Sequence, residues 1–367
     1  MIATNCIKNN KIFPQFEKIR FVSKETYDNW FRSHPQPGDI ILVNKGTPGL
    51  TALVPNPINF CFAQDMVAIH ADDSKINPLY LFAFLRSPFF LGQVKANIVG
   101  TLIPHFKKRD FDKILIPIPP NPLQKFIGEL HYNLSLKIEL NEQINEIIED
   151  IALKTFNSWF IDFEPFQDGE FEETELGMIP KGWEIDQLQN FVDVTMGLSP
   201  PGESYNEIEE GMPFFQGTRD FGTRYPIKRV YTTQPKQIAN YNDVLLSVRA
   251  PVGSLNIAIE HCCIGRGLAA LRMKQNHGGF LYYLLKSQGY KFEMASGGTV
   301  FSAIRKTDIE NFKFIKPPQK FIAQFNQFVE SLDKKFEINI KENDILQKII
   351  DSLLPQLICG RLQLPKS

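Results

Sequence analysis

The sequence predicts an α+β protein in which two mixed α/β domains form a tandem repeat, separated by two long helices packed as a coiled-coil-like pair. Apolar residues recur at spacings of three and four through 119–166, and the same pattern returns in 317–367. The segments that precede these two stretches also resemble each other, which marks an internal repeat. We therefore predict a first domain at 1–118, a first helix at 119–166, a linker and second domain at 167–316, and a second helix with the C-terminal tail at 317–367.

The first long helix is bounded by prolines, with Pro119 and Pro120 at its entrance and Pro165 at its exit. About 35 helical residues would extend over about 50 Å, longer than a small domain is wide. Such a helix needs a partner for its apolar face. That face is predicted from Ile127, Leu130, Leu134, Ile138, Ile144, Ile148 and Ile151.

The second long helix is the predicted partner. An offset of 198 residues superimposes the two helical stretches and aligns Asn141 with Asn339 and Asn145 with Asn343. Polar residues within a helix seam can fix its register, although solvent exposure of these asparagines is the alternative. Trp159 and Phe160 fit core packing better than base stacking, because they continue the apolar face. The predicted helix-pair and partner interface comprises Ile138, Asn141, Asn145, Ile148, Trp159, Phe160, Phe336, Asn339, Asn343 and Leu346.

The two domains repeat short buried strands and one helix. Ile40–Val43, Met66–Ile69 and Ile114–Ile118 read as strands in the first domain, and Asn77 precedes a helix that ends near Leu85. Their counterparts in the second domain are Val244–Val248, Leu268–Leu271, Phe312–Ile315 and the helix Phe280–Lys286.

One part of the second domain has no counterpart in the first. Residues from Lys181 to about Pro213 find no match before Ile2, so we expect the first domain to lack about thirty opening residues. Completion by another chain, a downstream fragment and an incomplete domain are the three interpretations.

Composition indicates a globular protein of the reducing cytoplasm. Charged residues make up 22% and hydrophobic residues 43%, no apolar run reaches membrane-spanning length, and five cysteines are scattered without a disulfide pattern. The net charge of −1 hides an uneven distribution, because residues 119–175 hold 3 Lys and Arg against 13 Asp and Glu. A nucleic acid would therefore meet the mildly basic domains and be repelled by the first helix.

Basic residues beside glycine or proline are the candidate DNA contacts. Arginine can bond guanine O6 and N7 together, whereas lysine more often meets phosphate. Arg249 is the strongest candidate because it follows a strand and has Lys45 at its repeat position, although each residue alone also fits an ordinary surface charge. The candidates are Lys45, Lys107, Lys108 and Arg109 in the first domain, and Arg219, Arg224, Arg249, Arg266, Arg305 and Lys306 in the second.

The full length of the chain resembles the specificity subunits of type I restriction–modification systems. The resemblance lies in KIELN at 137–141 with IALKTFNSWFIDF at 151–163, LGMIPKGW at 176–183, and LLPQL at 353–357. It implies a non-catalytic DNA reader in which two target-recognition domains each contact half of a split site. The two long helices would run antiparallel and set the distance between the half-sites.

The same resemblance implies the partners. Two modification subunits would dock on the helices and carry the methyl donor, so that this chain itself needs no cofactor or metal. Motor-nuclease restriction subunits would join them on double-stranded DNA, and a second copy of the chain is a further candidate partner. The shortened first domain departs from the family pattern.

Signals for catalysis are weak. Asn77–Tyr80 only partly matches the methyltransferase tetrapeptide, and His261 with Cys262 and Cys263 has no second pair at zinc spacing. No phosphate-binding loop is present in the sequence. The alternative to a DNA reader is therefore a helix-pairing scaffold that binds proteins, rather than an enzyme.

Overall fold

The computed structural model describes residues 1–31, 34–62, 64–100, 102–274, 278–288 and 303–362. The chain divides into two compact units. Unit 1 comprises Met1–Asn145 with Phe336–Ser367, and unit 2 comprises Glu146–Lys335. Each long helix contributes residues to both units, so the compact units cut across the segments predicted from the sequence. None of the described helices is long and apolar enough to cross a bilayer.

Unit 1 is built on a three-stranded antiparallel sheet of order β2-β1-β3. Its central strand is fully buried, and Ile41 pairs with Ala52 on one side and Ala68 on the other. Asn77 accepts a hydrogen bond from the Tyr80 N–H and caps α2 as predicted. The elements are α1 (Lys24–Trp30), β1 (Ile40–Val43), β2 (Thr51–Leu53), β3 (Met66–Ile69), α2 (Pro78–Leu85), α3 (Pro88–Asn97) and the long helix α4 (Asn121–Phe160).

Unit 2 contains a four-stranded sheet of order β13-β12-β15-β7, a five-stranded sheet of order β11-β14-β9-β10-β8, and the pairs β16-β6 and β4-β5. Its strands are β4 (Phe171–Thr174), β5 (Gly177–Pro180), β6 (Glu184–Gln187), β7 (Val192–Met196), β8 (Tyr205–Asn206), β9 (Met212–Phe215), β10 (Tyr231–Thr232), β11 (Ile238–Ala239), β12 (Val244–Ser247), β13 (Leu255–Ile257), β14 (Cys262–Ile264), β15 (Leu268–Met273) and β16 (Lys313–Lys316). Its helices are α5 (Leu188–Phe191), α6 (Gly278–Ser287), α7 (Lys306–Glu310) and the long helix α8 (Gln319–Ile358).

The predicted tandem repeat is visible in the strand register. In unit 1, Ile40 pairs with Leu53 and with Ile69. In unit 2, Val244 pairs in the same way with Ile257 and with Leu271. The predicted α+β class with two mixed domains is therefore confirmed.

One predicted strand is wrong. Ile114–Ile118 has extended backbone but pairs with no strand among the described residues, whereas its counterpart β16 pairs with β6. A strand needs a partner for its backbone groups, and β6 belongs to the part of unit 2 that has no match in unit 1. The other predicted strands shift only at their ends, as where β15 continues to Met273.

The two long helices run antiparallel, and asparagines pair between them. In unit 1, the Asn141 side chain donates to Asn343 at 2.8 Å, and the Asn339 side chain donates to Asn145 at 2.8 Å. Asn141, Asn145 and Asn339 are buried, which excludes solvent exposure for them. The sequence repeat aligns Asn141 with Asn339, but in the structure Asn141 pairs with Asn343 and Asn145 with Asn339. The pairs differ from the alignment because the helices run in opposite directions.

The remaining residues predicted at the helix pair are mostly buried. In unit 2, the Phe160 and Phe325 rings lie 5.5 Å apart, and Trp159 packs against the same aromatic cluster. Leu346 is half-buried. The buried members are Ile138, Ile148, Phe160 and Phe336.

Replacing one asparagine of the buried pair should cost more stability than replacing both. Asn145→Leu leaves the Asn339 amide without its partner and should cost about 1–3 kcal/mol of unfolding free energy, whereas the double change to leucine should cost less. Urea unfolding of both variants measures this. A double variant that loses as much as, or more than, the single variant would contradict the pairing.

Candidate nucleic-acid interface

Three arginines of unit 2 converge on one backbone position, Val248. The Val248 N–H donates to the Gly267 carbonyl at 2.9 Å, and the Ile304 N–H donates to the Val248 carbonyl at 3.0 Å. Val248, Gly267 and Ile304 are each adjacent in sequence to an exposed arginine. Those arginines are Arg249, Arg266 and Arg305.

Beside this point, unit 2 has a groove of about 710 Å³ lined by four arginines. Arg229 forms an ion pair with Asp220, whereas the other three form no ion pair with any described residue. The guanidinium groups of those three therefore remain available to phosphate or base edges. The four are Arg219, Arg229, Arg249 and Arg266.

Polar and aromatic side chains complete the groove. Gln216 lines it, and glutamine can bond adenine N6 and N7 together. Tyr205 and Phe214 also line it, with ring centroids 4.9 Å apart. The groove therefore combines cations with groups that can distinguish bases.

Gly267 lets the turn that carries Arg266 approach the backbone of Gln216 closely. A Cβ added at Gly267 would lie 2.4 Å from the Gln216 carbonyl oxygen. Any side chain at this position would push the two backbones apart. Gly267 thus keeps the backbones that carry Arg266 and Gln216 in close contact, and both residues line the groove.

Unit 1 repeats this convergence around Asn44. The Asn44 N–H donates to the Asp65 carbonyl at 2.9 Å, and the Phe106 N–H donates to the Asn44 carbonyl at 2.8 Å. Lys45 and Lys107 follow two of these positions, as Arg249 and Arg305 do in unit 2.

The basic residues of unit 1 are lysine-rich and partly neutralised. The Lys45 ammonium lies 3.5 Å from the Asp65 carboxylate, so part of its charge is balanced. Lys108 and Arg109 are exposed at the start of the 3₁₀ turn Lys108–Lys113. Lys306, the counterpart of Lys108 in unit 2, is also exposed and lies 3.5 Å from Glu310 within α7.

Arg224 does not belong to this surface, and its prediction as a DNA contact is wrong. Its side chain is only 1% exposed, 2.6 Å from Asp333 and 3.3 Å from Glu149. The Tyr282 and Tyr283 rings lie 5.0 and 5.6 Å from its guanidinium carbon. Burial alone would lower the pKa of Arg224, but the two carboxylates raise it above its usual value, so the group stays charged.

Sequence reasoning missed Arg229 and Gln216 in the groove. Arg229 lies between Lys228 and Val230, with no adjacent glycine or proline to mark it as a candidate DNA contact. Gln216 directly follows the strand β9, which pairs with the distant strand β14. Gln216 therefore reaches the groove through a long-range pairing that no local sequence pattern reveals.

Removal of Arg224 should destabilise unit 2 without changing base preference. Arg224→Met leaves the partly buried Asp333 without its cation and removes one of the two cations at Glu149, which keeps Lys286. The loss should cost up to about 3–5 kcal/mol of unfolding free energy. Arg249→Ala is the matched control, since an exposed side chain should change stability by less than about 0.5 kcal/mol. Chemical denaturation measures both, and unchanged stability of Arg224→Met would contradict the burial.

Comparison with known proteins places this geometry in a family. The chain matches the family profile described as Type I restriction modification DNA specificity domain over residues 1–150 and 180–348. It is 32% identical over 317 residues to the putative type I restriction enzyme MjaX specificity subunit of Methanocaldococcus jannaschii, covering 82% of this chain and 72% of that protein. It is 28% identical over 344 residues to the MjaIX specificity subunit of the same organism, covering 89% of this chain and 78% of that protein.

A solved structure shares the fold. The crystal structure of the type I restriction–modification system S subunit from M. genitalium gives a TM-score of 0.63 at 16% identity, covering 100% of this chain and 92% of that chain. The resemblance drawn from the helix and linker motifs is thus confirmed by the family match. This chain belongs to the family of type I restriction–modification DNA specificity subunits.

Proposed function

We propose that the chain reads a two-part DNA sequence, with one half-site for each unit, within a type I methyltransferase–endonuclease complex. The observation that carries this is the repeated convergence of basic residues around Val248 in unit 2 and Asn44 in unit 1. The two units share the same backbone arrangement but carry different side chains on it, which suits two domains that bind different DNA sequences. The chain itself acts as a reader and carries no catalytic step.

Unit 2 has the chemistry for base readout. Arg249 and Arg266 are exposed and without an ion pair among the described residues, and both line the groove. A bidentate arginine–guanine contact discriminates against other bases by about 1–3 kcal/mol. Arg305 and Lys306, at the neighbouring start of α7, suit phosphate contacts that position the groove on the duplex.

The candidate DNA contacts of unit 1 are mostly lysines rather than arginines. Lys45, Lys107 and Lys108 offer point charges, and Arg109 is its one predicted arginine contact. The position that corresponds to Arg266 holds Gln64, which is exposed. We infer that unit 1 depends more on phosphate contacts and reads its half-site with fewer bidentate arginine contacts than unit 2.

Each unit also exposes apolar side chains on its part of the long helices. In unit 1 these are Leu140, Ile144, Ile338 and Ile345, between 38% and 59% exposed. In unit 2 they include Ile147 and Ile151. The apolar face predicted for the first helix is thus only partly used inside the units, and solvent-exposed apolar patches suit protein partners. We infer one docking face per unit, which fits two modification subunits, each bringing its own methyl donor.

DNA binding measured together with the modification subunits tests this function. A reader should bind one sequence selectively and lose affinity steeply between two salt concentrations, because phosphate contacts release counterions. A protein-binding scaffold would show no dependence on DNA sequence. Equal binding to all duplexes would therefore contradict sequence reading.

Arg249→Ala should weaken specific binding more than non-specific binding. Loss of a bidentate base contact should cost about 1–3 kcal/mol at one position of one half-site and relax the preference there. Lys334→Ala is the matched control, since Lys334 is exposed on α8 and, among the described residues, forms its ion pair with Glu330 of the same helix. Competition assays with single-base variants of the site measure both, and equal losses on all sequences would mean that Arg249 contacts only phosphate.

A further inference from the structure

The central sheets of the two units differ at one edge. In unit 2, β7 pairs antiparallel with β15, from Met196 opposite Ala269 to Val192 opposite Met273. In unit 1, β3 occupies the place of β15, but no described strand pairs with its outer side. The edge of the unit 1 sheet is therefore open among the described residues.

The strands β15 and β3 also differ in their solvent exposure. Ala270 and Leu271 in β15 are 2% and 0% exposed, because β7 and its flanking segments cover them. The equivalent Ala68 and Ile69 in β3 are only half-buried. Exposed strand edges present unpaired N–H and C=O groups, which are templates for another strand.

The backbone direction of β3 suits such a strand. The Asn44 N–H donates to the Asp65 carbonyl, so alternate residues Val67 and Ile69 direct their backbone groups to β1. Ala68 and His70 therefore direct theirs outward.

β15 has the same alternation. The Gly197 N–H donates to the Leu268 carbonyl, which directs the backbone groups of Leu268, Ala270 and Arg272 toward β7. These three positions are the equivalents of Met66, Ala68 and His70.

A second open edge lies in Ile114–Ile118. In unit 2, the Leu188 N–H donates to the Phe312 carbonyl, so Phe314 and Lys316 face β6 while Ile315 faces away. The equivalents in unit 1 are Ile116 and Ile118, with Pro117 at the position that faces away.

The side chains around Ile114–Ile118 agree with this arrangement. Proline is tolerated where a strand needs no outward N–H, as at Pro117. The Gln93 side chain bonds both the N–H and the carbonyl of Leu115, on the side opposite to the missing strand. Leu115 and Ile118 are 77% and 57% exposed.

The segment that covers both edges in unit 2 is continuous. It runs through β6, α5 and β7, and Leu188 and Phe191 of α5 are buried. The Phe191 ring lies 5.2 Å from Phe314 and 5.9 Å from Phe280. The corresponding positions of unit 1 hold Ile116, which is half-buried, and Tyr80, which is already buried. Ile116 is therefore the apolar contact that unit 1 offers to such a segment.

We propose that unit 1 is a receptor for strand addition and binds a strand–helix–strand segment, carried by another polypeptide, with the pattern of Glu184–Met196. One strand adds to β3 and the other to Ile114–Ile118, while apolar residues at the positions of Leu188 and Phe191 cover Ile116. Backbone hydrogen bonds supply affinity in this mode of recognition, and side-chain pockets supply specificity. An acidic residue at the position of Asp193 would face His70, as Asp193 itself stands opposite Arg272.

A labelled peptide with the sequence of residues 181–197, added to the intact chain, tests this directly. We expect saturable binding by fluorescence anisotropy, with new amide-exchange protection in β3 and in Ile114–Ile118. No new protection should appear in β15, because β7 already covers it. A peptide with Leu188→Asp and Phe191→Asp should not bind, since it cannot bury its helix.

Two further variants distinguish strand addition from non-specific peptide binding. N-methylation of the peptide at Thr195, the residue that pairs with Ala270 in unit 2, should weaken binding about tenfold or more. Ala68→Pro in the chain should have a similar effect, whereas Ala68→Thr keeps the N–H and should bind normally. Absence of peptide binding, protection in unit 2 instead of β3, or indifference to N-methylation would overturn strand addition.

Discussion

The asparagine pairs between α4 and α8 are the constraint on which the rest of unit 1 depends. Asn141 pairs with Asn343 and Asn145 with Asn339, and three of these four side chains are buried, where an unpaired amide costs about 1–3 kcal/mol. A slip of one helical turn would separate both pairs, so the helices have one favoured register. Apolar side chains alone would tolerate several registers, because leucine and isoleucine pack against many neighbours.

The two units use the same backbone arrangement to present different side chains. Asp39 accepts a hydrogen bond from the Gln36 N–H and Asp243 from the Asn240 N–H, both at 2.7 Å. The turn before the central strand is therefore built identically in both units. The side chains that follow the strand are free to differ, as Lys45 and Arg249 do. Shared scaffolding with variable contact residues is how one fold can read two unlike half-sites.

The sequence predicted what depends on periodicity and repetition, and missed what depends on distant partners. The helices at Asn121–Phe160 and Gln319–Ile358 follow from apolar spacing alone, and the strand repeat follows from matched segments. Arg224 has the same local surroundings as an exposed arginine, but Glu149 and Asp333 bury it from positions 75 and more residues away. The sequence of Ile114–Ile118 predicts a strand, but the segment forms none because its pairing partner is not among the described residues.

The length of the helix pair should set the spacing of a two-part site, and this role can be tested by changing that length. Duplicating Ile138–Ile144 in α4 and the facing Ile340–Leu346 in α8 adds one matched heptad and retains the contacts of each unit. Seven helical residues add about 10 Å, close to three base pairs. Methylation mapping in cells should then show the same bases in both half-sites with a spacer about three base pairs longer. An unchanged spacer, or altered bases in the half-sites, would contradict the role of the helix pair.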